Sequence, residues 1–345
     1  MTKSNPGHFF EDFYVGMELH HATPLTVSTG DQSLYRALTG SRHALYSSTP
    51  FATANGYDDL PIDPLLAFHI VFGKTVPDIS LNAVANLGYA DGRFPMPVYP
   101  GDTLSAVSEI IGIKENSSGK TGVVYVRTRG LNQRGEDVLS YIRWVMVNKR
   151  DAGAPASEPV VPDLPSVVDP KTLGFGRGYA AWDDTLAGSK HRYDAYDIGE
   201  KVNHVDGMTV EEAEHQIATR LYQNTAKVHF DAFAQKDSRF GKRLIYGGVV
   251  ISIARALSFN GLANATEIIA MNGGTHAGPL FAGETLYAWS EVLDKAELSD
   301  TVGALRLRLV AVKDQDPAVF PLKRDDGKYK DGVCLDFDYW AAIPR

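Results

Sequence analysis

Residues 97–110 read Pro-Val-Tyr-Pro-Gly-Asp-Thr-Leu-Ser-Ala-Val-Ser-Glu-Ile, and residues 279–292 read Pro-Leu-Phe-Ala-Gly-Glu-Thr-Leu-Tyr-Ala-Trp-Ser-Glu-Val. The two stretches lie 182 residues apart. Tyr14-Val15-Gly16 and Asp197-Ile198-Gly199 stand 183 apart, and Ala52 and Ala234 stand 182 apart. An offset that holds over some ninety residues marks one module present twice. Whatever the chain folds into must therefore be built from two copies of the same unit.

Each copy reads alike. A glycine turn (Gly16, Gly199) leads into a strand and then a helical stretch, Thr29 to Leu38 in the first copy. In the second copy Thr209 and Glu212 have the spacing of a capping box, which predicts Thr209 as the helix cap. A long apolar segment follows, Pro64 to Phe72 and Gly248 to Leu257, with no period-two alternation, and this predicts a buried helix. Strand-like runs come next: Thr121 to Thr128, Val138 to Val147 and Leu305 to Val312, the last with arginines on one face. A long helix followed by a run of antiparallel strands is the layout of a hot-dog module, so the expected fold is α+β, a double hot dog. The modules are expected at 1–150 and 191–345. Residues 151–190 carry Pro155, Pro159, Pro162, Pro165 and Pro170, then Gly174, Gly176 and Gly178, a composition that predicts a linker. The glycine run follows no strand, so it does not qualify as a phosphate loop.

Composition narrows the function classes. A net charge of −8 argues against a nucleic-acid or anionic-membrane surface. One cysteine, Cys334, excludes an internal disulfide and a cysteine metal cluster. The histidines show no metal spacing, so no metal is expected. No apolar run approaches the roughly 18 residues of a membrane span, and the polar start lacks a secretory core, so a cytoplasmic location is expected.

The chemistry is expected in Arg220 to Ala234, where His229 stands five residues after Asn224. An imidazole titrates near neutrality and suits general acid–base work. The segment resembles the active-site stretch of MaoC-like (R)-specific enoyl-CoA hydratases. That pattern runs Asp, any residue, Asn, Pro, aliphatic, His, then a small residue. Here Val228, His229 and Ala234 fit. Asn224, Ala226 and Lys227 depart from the Asp, Asn and Pro positions. In the first copy Ser41 and Tyr46 occupy the Asp and His positions, so that module is expected to lack catalysis. The resemblance implies that it instead builds the acyl-binding side of the site, with Tyr46 among the binding residues.

Phe72 to Ala90, Tyr141 to Val147 and Asn224 to Asp231 are further similar to stretches of mesaconyl-CoA (2-methylfumaryl-CoA) hydratases. That likeness implies reversible hydration of mesaconyl-CoA to β-methylmalyl-CoA, with an acyl-CoA as substrate and no cofactor beyond the substrate's own coenzyme A. It also implies a homodimer and a place in the ethylmalonyl-CoA route or a related pathway. A substrate carboxylate would explain why Asn224 replaces an acid, since like charges repel strongly in a dry pocket. Lys227 and Arg42 are then candidates to hold that carboxylate. His229 is expected as general base, with Asn224 orienting the water. Gly247 and Gly248 open a helix whose N–H groups suit the thioester oxygen. Asp231 or Glu214 remain open as substitutes for the missing acid. Two alternatives stand: a hot-dog thioesterase using Glu214, or a hydratase of another short-chain enoyl-CoA.

Overall fold

The computed structural model describes residues 3–155, 157–173 and 175–345; Gly174 of the glycine run lies outside them. The first module holds β1 (Glu18–Thr26), α1 (Thr29–Thr39), α2 (Thr49–Ala54), α3 (Pro64–Thr75), β2 (Ala83–Arg93), β3 (Thr103–Glu115), β4 (Thr121–Leu131) and β5 (Asp137–Asn148). A short helix α4 (Asp184–Ala187) follows. The second module repeats the pattern with β6 (Lys201–Thr209), α5 (Glu212–Leu221), α6 (Lys227–Phe230), α7 (Gly247–Leu257), α8 (Phe259–Leu262), β7 (Glu267–His276), β8 (Thr285–Glu297), β9 (Val302–Lys313) and β10 (Val333–Pro344). The strands form a single sheet in the order β1-β3-β4-β5-β2-β7-β10-β9-β8-β6. The modules join edge to edge where β2 meets β7, Gly92 opposite Met271 and Arg93 opposite Ala270. This is the double hot dog that the repeat implies: one continuous sheet curled round two apolar helices.

Both central helices are buried nearly all round, α3 from Leu65 to Thr75 and α7 from Gly248 to Leu257. That is why α3 shows no amphipathic periodicity. A Cβ on Gly73 would stand 1.8 Å from the Tyr222 carbonyl oxygen, so α3 of the first module lies directly on the backbone that follows α5 in the second. A helical glycine is less favourable than alanine by about 1 kcal/mol, and close approach is what holds it here.

The sequence reading needs two corrections. Thr209 does not cap α5. It ends β6, its hydroxyl lies 2.8 Å from that of Thr285, and Glu211 takes the cap position without a side-chain bond. The stretch expected as a linker is exposed for most of 157–167, but Val168, Tyr179, Trp182 and Ala187 then enter a core cluster with Tyr46, Tyr57 and Trp340. Its aromatic residues bury area that its proline and glycine content conceals.

Candidate active site

His229 lies on α6, one helical turn that begins after a tight loop. Asn224 builds that loop: buried, it accepts the Ala226 N–H on Oδ1 at 3.1 Å and donates its own N–H to the Thr219 carbonyl. A side chain that closes a two-residue turn in this way fixes the approach to the next element. His229 Nδ1 is 3.0 Å from the Leu244 carbonyl. A carbonyl only accepts, so Nδ1 carries the proton and Nε2 is left as a lone pair. Desolvation, only partly offset by the Leu244 bond, pushes the His229 pKa down to about 4. The imidazole is thus a neutral base at pH 7.

Around it stand groups from both modules. Tyr246 packs its ring 5.4 Å from that of His229, and His215 lies edge-on at 6.3 Å. His215 Nε2 accepts the Tyr246 N–H at 2.9 Å, which fixes the start of α7. His276, at the end of β7, abuts Gly247: a Cβ there would sit 2.3 Å from the imidazole. The first module supplies Tyr89, whose hydroxyl is 3.3 Å from His276 Nε2, and Phe72, whose ring packs on Tyr246 at 5.7 Å. Burial holds His215 near 3 and His276 near 4, with the charge of His229 a lesser cause in both. The three histidines are therefore uncharged together.

The N-terminus of α7 is open. No side chain caps it, and among the described residues the Gly247 and Gly248 N–H groups bond to nothing. Gly248 is needed as well, since a Cβ would reach within 2.6 Å of the Tyr246 and His69 rings. Two free donors at the positive end of an eleven-residue helix, beside a neutral imidazole, can stabilise an oxygen that gains negative charge.

The equivalent place in the first module is filled in. Pro64 replaces Gly247 and has no N–H, and Asp63 caps α3 by accepting the Leu65 N–H at 2.9 Å. Tyr46 takes the place of His229 and Phe94 that of His276. Both line a cavity of about 20 Å³ with Tyr57, Pro64 and Glu267, room for about one water. Glu267 closes it, paired with Arg177 at 2.7 Å and bonded by Tyr57 and by Tyr179 at 3.1 Å. Arg177 and Tyr179 come from the supposed linker.

Of the residues expected at the site, the structure gathers His229, Gly247 and Gly248. Asn224 shapes the loop before His229 and has no hydrogen bond to its side chain among the described residues. Lys227 is exposed and forms no ion pair among the described residues. Tyr46 belongs to the filled copy. Arg42 is largely exposed, 3.8 Å from Asp206 and stacked over Phe259, with no contact to His229; it is not placed to hold a substrate there. Asp231 accepts the Ala234 N–H at 3.0 Å, and Glu214 is exposed, so neither replaces the missing acid beside His229. His215, His276 and Tyr89 went unnoticed. Comparison of the copies would have found the two histidines, because Gln32 and Phe94 stand where the first module would otherwise repeat them.

The family model described as mesaconyl-CoA hydratase matches residues 1–326. The chain belongs to the mesaconyl-CoA hydratase family. A mesaconyl-CoA hydratase of Cereibacter sphaeroides is 62% identical over 99% of this chain and 100% of its own length. A β-methylmalyl-CoA dehydratase of Chloroflexus aurantiacus is 57% identical over 100% of this chain and 99% of its own. The crystal structure of a MaoC domain protein dehydratase from Chloroflexus aurantiacus superposes with a TM-score of 0.98 at 57% identity, covering 100% and 99% of the two chains. A Mycobacterium tuberculosis protein with a double hot-dog fold superposes at 0.77 and 23% identity, over 99% of each chain, which bears on the fold alone.

Proposed function

We propose that this chain catalyses the reversible hydration of mesaconyl-CoA to β-methylmalyl-CoA, as a hydro-lyase. Membership in the family, with near-complete coverage by relatives named for the two directions of that reaction, carries the reading. His229 Nε2 removes a proton from water as the oxygen attacks the β-carbon. Electron density passes through the double bond to the thioester oxygen, which the Gly247 and Gly248 N–H groups receive. The imidazolium then returns the proton to the α-carbon, so one water is added and nothing else is consumed. With its pKa held near 4 by burial, His229 enters the reaction unprotonated at pH 7, so the Nε2 lone pair is free to accept the proton. Among the described residues no helix is long and apolar enough to cross a membrane, and no group of acidic, histidine and cysteine side chains is arranged to hold a metal.

The test is turnover of purified protein on mesaconyl-, crotonyl- and longer enoyl-CoAs, scored by loss of enoyl absorbance against release of free thiol. Mesaconyl-CoA should be consumed without thiol release. His229→Ala should lower kcat by about 10²- to 10⁴-fold in a folded protein. Thiol release at the rate of enoyl loss would favour a thioesterase, and a variant within a few-fold of wild type would remove His229 from the chemistry.

A further inference from the structure

With Arg42 and Lys227 away from the site, the substrate's second carboxylate has no assigned partner. Arg143 on β5 is a buried cation without an acidic partner among the described residues. Its side chain is fully buried, yet no carboxylate lies within ion-pair distance of it among the described residues. One guanidinium nitrogen donates to the Thr75 hydroxyl at 2.9 Å, the face stacks on Phe72 at 4.3 Å, and Nε has no partner. A buried charge is normally paired, because taking it from water costs several kcal/mol. Asp78 of the same module is already bonded to His21 at 2.7 Å.

The groups around Arg143 reach the site. Tyr89 is its cross-strand partner on β2, and the Tyr89 hydroxyl bonds His276. Phe72 lies between the guanidinium and Tyr246, whose ring contacts His229. The Tyr141 and Tyr246 hydroxyls are buried without partners and close enough to act on the arginine's charge. The second module supports the assignment by contrast. Met271 and Tyr339 pair across β7 and β10 as Tyr89 and Arg143 do across β2 and β5, so Tyr339 is the counterpart of Arg143. Tyr339 itself carries no charge, and the Arg255 guanidinium that lies over its ring at 5.7 Å is already bonded to the Ser258 hydroxyl and the Ala265 and Thr266 carbonyls, whereas Arg143 Nε has no partner.

Building on the hydratase reading, we propose that Arg143 receives the free carboxylate of a dicarboxylic enoyl-CoA, with the Tyr246 and Tyr141 hydroxyls completing the cradle. It thereby sets the enzyme's preference for mesaconyl-CoA over monocarboxylic enoyl-CoAs. In β-methylmalyl-CoA the carboxylate hangs on the carbon that bears the hydroxyl, so its anchor must lie on the side of the site from which Phe72 and Tyr246 lead to His229, the side that Arg143 occupies.

The experiment is kcat/KM for mesaconyl-CoA and crotonyl-CoA in wild type and Arg143→Met, with the thermal midpoint of each. Methionine keeps most of the volume and removes an unpaired buried charge, so the variant should be as stable as wild type or more so. Mesaconyl-CoA should lose about 100-fold or more through KM as well as kcat, and crotonyl-CoA should stay within about threefold. A parallel loss on both substrates, or none on mesaconyl-CoA, overturns the assignment. If the methionine variant does not fold, Arg143→Lys takes its place: charge without the fork should lower the mesaconyl-to-crotonyl ratio about tenfold, and an unchanged ratio overturns the assignment. A wild type inactive on mesaconyl-CoA overturns the hydratase reading instead.

Discussion

Gly247 offers the sharpest test of how the site is built. It is the first residue of α7 and its φ is not positive, so alanine there meets no backbone strain. Helix propensity favours alanine over glycine by about 1 kcal/mol. The obstacle is His276. A Cβ on residue 247 falls 2.3 Å from Cε1 and 2.6 Å from Nδ1 of that imidazole. Ordinary contact begins near 3.4 Å, so the ring must retreat by about 1 Å. It can do so, since it is half-buried and its one hydrogen-bond partner among the described residues is the Tyr89 hydroxyl at 3.3 Å. Gly247→Ala should therefore fold, with the strain and the propensity gain roughly cancelling. A misplacement of about 1 Å costs catalysis on the order of 100-fold, near 3 kcal/mol of barrier. The assay is kcat/KM in four proteins: wild type, Gly247→Ala, His276→Ala and the pair. If the alanine acts through His276, it should cost about 100-fold in wild type and little where His276 is absent. Full activity in Gly247→Ala, or the same loss on both backgrounds, would refute the reasoning.

Two further outcomes are expected. His69 and His204 are fully buried, with pKa values pushed down to about 3 and about 4 by desolvation. The unfolded chain binds protons at these sites below pH 6.5 while the native chain does not, so their contribution is intact above pH 6.5 and declines as pH falls towards 4. At pH 5 each should have withdrawn about 2 kcal/mol, alongside the other buried histidines, His215, His229 and His276; this is read as a drop in unfolding free energy from urea titration that His69→Gln lessens by about 2 kcal/mol, and equal stabilities at pH 7 and 5 would contradict it. Asn224→Asp keeps the acceptor for the Ala226 N–H but adds a buried charge near an anionic substrate. It should lower the mesaconyl-to-crotonyl ratio of kcat/KM by about 10- to 100-fold, and an unchanged ratio would mean that this position does not sense the carboxylate.

The structure places His229 and the Gly247-Gly248 pair at one place in the second module, and the repeat offset identifies Tyr46 and Pro64 as their counterparts in the first. Arg42 failed because the repeat says which copy a residue belongs to but not which of two pseudo-symmetric places it faces; it stands beside the filled one. Arg143 lies within Tyr141 to Val147, where nothing in the sequence singles it out. Its significance is a missing partner, and a missing partner is visible only when every neighbour is known. The linker misled through composition: proline and glycine content says where regular structure is unwelcome, whereas Arg177, Tyr179 and Trp182 decide where the segment docks. Thr209 had the right spacing for a cap, but strand pairing with Thr285 claimed it first.

Duplication explains why such a division is stable. In a symmetric pair of modules each residue would appear in both sites, and an unpaired buried arginine would appear twice with its desolvation. A fused chain can vary the copies separately. Here the differences fall on opposite sides of the same two places. His229, the open helix end and His276 belong to the second module, and Tyr89 and Arg143 reach that place from the first. At the other place Pro64 removes a donor, Asp63 caps the helix, Phe94 and Tyr46 occupy space, and Tyr339 supplies no charge. Glu267 is buried there too, but Arg177 answers it at 2.7 Å. The filled copy has satisfied its buried charge from within the chain, and the open copy leaves Arg143 unanswered. A fold that can pair a buried ion in one half and leaves it unpaired in the other has reserved that place for a ligand of opposite charge.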